Sequence, residues 1–197
     1  MNKHLETMKG ALEGYRTAAK RARDELNRIN DRLKPEAADI ERERITDELS
    51  AKRRAALDAI NSAQEAGISS VKDWARLDGG KITGDAKLLQ DGVVSPSDFD
   101  AMVEKYKDNR TMLSYLQKYA KERNSKGGLP QYSTGQIPTQ EEREKAYFYF
   151  GNAARGILSQ LDGKGIMSGL DSAMLNSAID NFGKPNATTA GLLSLLD

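Results

Sequence analysis

Leu5, Met8, Leu12, Tyr15, Ala19, Ala22, Leu26, Ile29 and Leu33 recur at alternating steps of three and four residues without a miss. A mean step of 3.5 residues keeps one stripe of an α-helix apolar over four heptads. A strand cannot use this spacing, because its side chains change face at every residue. Residues 3–33 are therefore expected to form one helix, roughly 45 Å long at about 1.5 Å per residue. The stripe is read as a self-association seam, with Ala19 and Ala22 small enough to let a partner helix approach closely. The remaining faces are charged, with Arg16, Lys20, Arg21, Arg23, Asp24, Glu25, Arg28, Asp31 and Arg32.

Lys34-Pro35 interrupts this helix. Proline lacks an amide donor and pushes the residue before it out of the helical region, yet it also starts helices well. Glu36, Asp39 and Glu41 follow where a first turn favours acids. A second helix is expected from Pro35 to about Leu77. Its apolar face is Ile45, Leu49, Ala56, Ile60, Ala63, Gly67, Val71 and Trp74. Pro35 is then either the tip of an antiparallel hairpin, the favoured reading, or a kink in one very long helix.

Asp78-Gly79-Gly80 ends the second helix. Shorter helices are expected over 85–90, from the serine cap Ser95-Pro96 to about Asp108, and over 109–123. Residues 124–138 have the glycine, proline and serine content of a linker. Thr139 and Glu142 form a capping box that opens a helix to about Leu161. A short helix over 170–181 and a leucine-rich tail complete the chain. No stretch alternates with a two-residue period between turns. The expected fold class is all-α: a long N-terminal helical hairpin or coiled coil followed by a bundle of shorter helices. The expected divisions are 1–78, 79–123, the linker 124–138 and a C-terminal helical unit over 139–197.

Composition sets outer limits. Of 197 residues, 38% are hydrophobic, 30% charged and 6% aromatic, a balance suited to exposed helices rather than to a large core. Thirty basic against 29 acidic residues give no sequence-wide attraction to nucleic acid or to an anionic membrane. No apolar run reaches the roughly 18 residues of a spanning helix. Met1-Asn2-Lys3-His4 does not open an apolar secretion signal, so cytosolic synthesis is the expectation. Without cysteine the chain has no disulfide and no thiolate metal site.

The chemical motifs lose to plainer readings. His4 is the only histidine, at a chain end and without cysteine, which makes it a poor metal ligand or triad member. Glu41-Glu43 and Glu141-Glu142 read as solvated helix surface, since nothing apolar surrounds them to raise one pKa. Gly80-Lys81-Ile82-Thr83 lacks the phosphate-loop glycine, Ala75 standing in its place, and has Ile82 where Ser or Thr must follow the lysine. Gly163-Lys164-Gly165-Ile166-Met167-Ser168-Gly169 misses the dinucleotide pattern by one residue and follows no strand. No catalytic residue, cofactor or metal ligand is assigned, and no enzymatic activity is expected.

Basic clusters occur at Lys20-Arg21-Ala22-Arg23, at Lys52-Arg53-Arg54, and at Lys118, Lys121, Arg123 and Lys126. The third is interleaved with Tyr115 and Tyr119, as a nucleic-acid surface would be. Those tyrosines share helical spacing with Met112 and Leu116, which favours a core face and argues against nucleic acid. Two other segments are candidates for binding a protein partner. Tyr147, Phe148, Tyr149 and Phe150 are consecutive, so on a helix they point to all sides and one narrow seam cannot bury them. Leu192, Leu193, Leu195 and Leu196 either dock the tail on preceding helices or insert into another subunit's groove.

Three segments carry a resemblance: Trp74-Ala75-Arg76-Leu77-Asp78-Gly79, then Lys87 to Phe99, then Tyr106-Lys107-Asp108-Asn109-Arg110-Thr111-Met112-Leu113. Together with the charged arm before them, they make residues 1–123 similar to the small helical proteins of tailed-phage and prophage structural modules. That resemblance implies a scaffold-like or capsid-associated protein of virion assembly, self-associating and binding coat protein, in the host cytoplasm, a procapsid or a virion. It transfers no functional residue and does not extend to the C-terminal third. The alternative is a phage-encoded regulator or inhibitor that binds a host protein or nucleic acid through its helices.

Overall fold

The structure is a computed structural model that describes residues 2–32, 34–127, 131–135, 137–162 and 169–196. Among these residues there is no strand. The helices are α1 (Lys3–Arg32), α2 (Pro35–Ala75), α3 (Asp85–Asp91), α4 (Pro96–Lys105), α5 (Arg110–Ser125), α6 (Gln140–Asp162), α7 (Gly169–Asp180) and α8 (Ala190–Ser194). One 3-10 turn, Gly79–Lys81, stands between α2 and α3.

α1 and α2 pack against each other as a hairpin, so Pro35 begins a returning helix and does not kink a continuous one. Ala22 and Ile29 of α1 meet Ala38 and Ile45 of α2, with Leu26 and Leu49 packed at the side. The seam is consumed within the chain. Leu5, Met8, Leu12, Tyr15, Ala19, Ala22 and Ile29 are buried, Leu26 is half-buried, and Leu33 lies outside the described residues. Full burial of Leu5, Met8 and Leu12 contributes roughly 1.5–3 kcal/mol each.

The chain divides into two units whose boundaries differ from those expected. Met1–Ile68 and Glu144–Asp197 form one, and Ser69–Arg143 the other. The C-terminal helices are therefore not a separate body. They close on the hairpin because α6, α7 and the tail bring Ala146, Tyr147, Phe150, Ala154, Leu158, Ile179 and Phe182 to complete its core.

In this first unit two glycines set how closely α2 and α6 approach. A Cβ at Gly67 would collide with the Tyr147 ring, and one at Gly151 with the Gln64 amide. Each helix thus presents a bare backbone to a large side chain of the other. Gln64 is buried and satisfied by Arg155, whose guanidinium donates to Gln64 Oε1 (2.8 Å) and Asn61 Oδ1 (2.9 Å). α7 is tied to α1 by Arg16, which donates to Asp180 Oδ1 (2.9 Å) and Asn176 Oδ1 (3.3 Å). Lys9 donates to the Asp180 carbonyl at 3.3 Å, placing a cation at the negative end of α7.

The second unit is built round Phe99, Met112, Leu113, Leu116 and Ala120. Ser95 and Asp98 form the capping box of α4, with Pro96 at its first position. The described part of segment 124–138, expected as a linker, is instead anchored to this core. Tyr132 and Ile137 are buried in it, and Asn124 pairs with both the amide and the carbonyl of Tyr132 at 2.9 Å. Two apolar side chains and one amide clamp outweigh the turn-rich composition.

Candidate interaction surfaces

α6 opens with the expected capping box: Thr139 Oγ1 accepts from Glu142 N (3.2 Å), and Glu142 Oε2 accepts from Thr139 N (2.8 Å). The helix then divides its four consecutive aromatics. Tyr147 and Phe150, three residues apart, point inward and are buried. Phe148 is 49% exposed and Tyr149 40% exposed. The inward pair is fixed on both sides. Tyr147 donates to Asn2 Oδ1 at 3.2 Å, and Phe150 meets Phe182 edge to face at 5.9 Å. Tyr149 leans edge to face on Phe150 at 5.4 Å, so its ring is held although half of it is open. Glu141, Lys145, Asn152 and Gly156 share the outward face and surround the pair with polar and small residues.

The leucine tail is folded onto its own unit. Leu196 is buried, and Leu192, Leu193 and Leu195 are half-buried. Asn186 Oδ1 accepts from the amides of Thr188 (2.8 Å) and Thr189 (3.0 Å), turning the chain into α8. Asn2 Nδ2 then donates to the Leu196 carbonyl at 3.1 Å. Asn2 therefore joins the first residues, Tyr147 and the last turn, while its Oδ1 also accepts from His4 N at 3.0 Å. His4 packs edge to face with Tyr147 at 5.8 Å. Partial burial, and then the neighbouring Lys3 charge, hold its imidazole below the ordinary value.

The chemical candidates resolve into structural parts. Tyr119 is buried and donates to the Val94 carbonyl at 3.0 Å, which also accepts from Tyr132 at 2.8 Å. Arg123 donates to the Gly92 carbonyl at 2.7 Å. Lys118 remains an exposed cation near Glu122, 3.9 Å away. Glu41 pairs with Arg44, which also meets Glu48. Gly80-Lys81 forms the 3-10 turn, capped by Asp78, which accepts from Gly80 N at 2.9 Å. Gly163 to Ser168 lie outside the described residues. Among the described residues no three His, Asp or Glu side chains gather as a metal-holding group, and no helix is long and apolar enough to cross a membrane.

Three features went unread in the sequence. Asp85 Oδ2 accepts from Lys105 Nζ and from Tyr106 Oη, both at 2.7 Å, and the Thr83 and Tyr106 hydroxyls lie 2.7 Å apart. The bonds from Lys105 and Tyr106 lower the Asp85 carboxyl below the usual carboxylate range. Trp74 is flanked by two guanidinium groups, Arg143 at 4.1 Å and Arg110 at 5.5 Å from its ring centre. Ile40 is 71% exposed near the hairpin tip. Only Ile40 left a trace in the sequence, since it falls five residues before Ile45 and so off the apolar face of α2. Comparison with protein-family models, with curated proteins and with solved structures finds no match to this chain.

Proposed function

We propose that this chain is a non-enzymatic assembly protein of a tailed-phage or prophage structural module, docking capsid protein through Phe148 and Tyr149. The observation that carries this reading is the division of the aromatic run on α6. Two rings are committed to the core, and the two between them are held open to solvent by the same turn of helix. A rigid aromatic pair within a polar surround has the anatomy of a binding hot spot. Covering the exposed halves of these two rings gains roughly 1 kcal/mol each before the cost of association. That suits the weak, reversible contacts an assembly factor needs.

The resemblance of residues 1–123 supplies the phage context and the capsid partner. The test is co-expression with the coat protein of the same structural module, followed by separation of assembled particles on a gradient. The chain should travel with particles, and the Phe148→Ala/Tyr149→Ala variant should remain at the top while still melting cooperatively, its midpoint lowered only by the lost Tyr149–Phe150 contact. Absence of the parent chain from every particle fraction would sink the proposal.

A further inference from the structure

Between α1 and α2 runs an open groove of about 380 Å³, lined by Ala11, Gly14, Ala18, Ala55 and Ala59 and ending at Arg21 and Lys52. Most of the lining residues sit at helical steps, 11, 14, 18 and 21 on α1 and 52, 55 and 59 on α2, and Tyr15, Thr17 and Ala56 complete the walls. Nothing lies within 4 Å of where a Cβ on Gly14 would stand, so the floor is open to a visiting side chain. Arg21 and Lys52 are exposed, and neither makes an ion pair among the described residues.

The hairpin tip carries the opposite pattern. Glu36, Ile40, Glu43 and Asp47 follow steps of four, three and four on one face of α2. All are exposed, and the three acids likewise make no ion pair among the described residues. This is an exposed isoleucine among unpaired carboxylates, against a groove of small residues that ends in unpaired cations. The spacings agree as well. Ile40 and Asp47 are seven residues apart, as are Gly14 and Arg21, and Ala59 and Lys52. Each is a distance of about 10.5 Å along a helix.

From this match we infer that the tip of one copy docks into the groove of a second copy. Ile40 lies over Gly14 and Ala59, and Asp47 and Glu43 reach Arg21 and Lys52. The inserted α2 runs parallel to the α1 that receives it. A chain cannot fill its own groove this way, because Ile40 and Ala55 stand roughly 22 Å apart on one straight helix. The contact joins different patches of two copies. It either closes reciprocally into a dimer or ring, or propagates as a filament. It shares no residue with Phe148 and Tyr149, so it can fail while the capsid-docking proposal stands, and the reverse also holds.

Sedimentation velocity over a concentration series tests it, on the parent chain and on three variants. The parent should sediment as a dimer or larger species at high micromolar concentration and low salt. Arg21→Glu/Lys52→Glu and Glu43→Lys/Asp47→Lys should each weaken association about tenfold, as attraction between exposed charges becomes repulsion. The variant carrying all four changes restores opposite charges and should associate like the parent. Ile40→Ser should also be monomeric, and its exposure makes a folding defect an inadequate explanation. A parent that stays monomeric throughout, charge-reversed variants that associate unchanged, or a four-fold variant that stays monomeric would each overturn the inference.

Discussion

Gly67 on α2 faces the ring of Tyr147 on α6 so closely that a methyl group at Gly67 would occupy the ring's own volume. Tyr147 cannot swing aside freely, since it is buried and donates to Asn2. Gly67→Ala gains about 1 kcal/mol of helix propensity but overpacks at a cost of about 1–3 kcal/mol. The expected result is a lower urea midpoint. Gly10→Ala is the matched control, because nothing lies within 4 Å of its Cβ position, and it should raise the midpoint. If both substitutions stabilise, the close approach of α2 and α6 is wrong.

Asn2→Ala removes three hydrogen bonds at once: from His4 N, from Tyr147 and to the Leu196 carbonyl. At about 0.5–1.5 kcal/mol for each partly buried bond, a loss of roughly 1.5–4.5 kcal/mol is expected, with the tail losing its tie to Asn2. Hydrogen exchange of the Leu193 and Leu196 amides, which bond to the Thr189 and Leu193 carbonyls, reads it directly. Protection that survives the substitution would show that the tail is held by its leucines alone.

The elements legible in the sequence were those fixed by local rules. The seam from Leu5 to Ile29, the Ser95-Pro96 start and the Thr139-Glu142 box all depend on residues within one or two turns of each other. Segment 124–138 escaped because Tyr132 and Ile137 draw their energy from a core assembled by distant helices. The same limit hid the joining of the two chain ends. No local pattern links Asn2 to Leu196 across 194 positions. The aromatic run could be recognised, but which two rings turned outward depended on where α2 and Phe182 lay. The seam residues were identified by their spacing, whereas their partner, the chain's own α2, was not fixed by that spacing.

His4 gives the fold a pH dependence of definite sign. Its imidazole is held below the ordinary value of 6.5 by partial burial and by Lys3, so the folded chain binds its proton less readily than the unfolded chain. The resulting stability is fully present above pH 6.5 and is lost as pH falls through the lowered folded value. Urea midpoints should therefore decline between pH 7 and pH 5, and His4→Gln should flatten that decline. A slope that His4→Gln leaves untouched would assign it to another group.

The two pairs of α6 aromatics should separate cleanly under substitution. Phe150 is buried against Phe182, and Phe150→Ala removes a ring from a closed core, at a cost of about 3–5 kcal/mol. Phe148→Ser removes a half-exposed ring with no hydroxyl to leave stranded, and should change stability by no more than about 0.5 kcal/mol. Tyr149→Ser should cost somewhat more, because it also forfeits the edge-to-face contact with Phe150. Chemical denaturation of the three variants checks the order. A Phe148→Ser loss as large as that of Phe150→Ala would mean the outward face of α6 is core. Phe148 would then be withdrawn from any docking role.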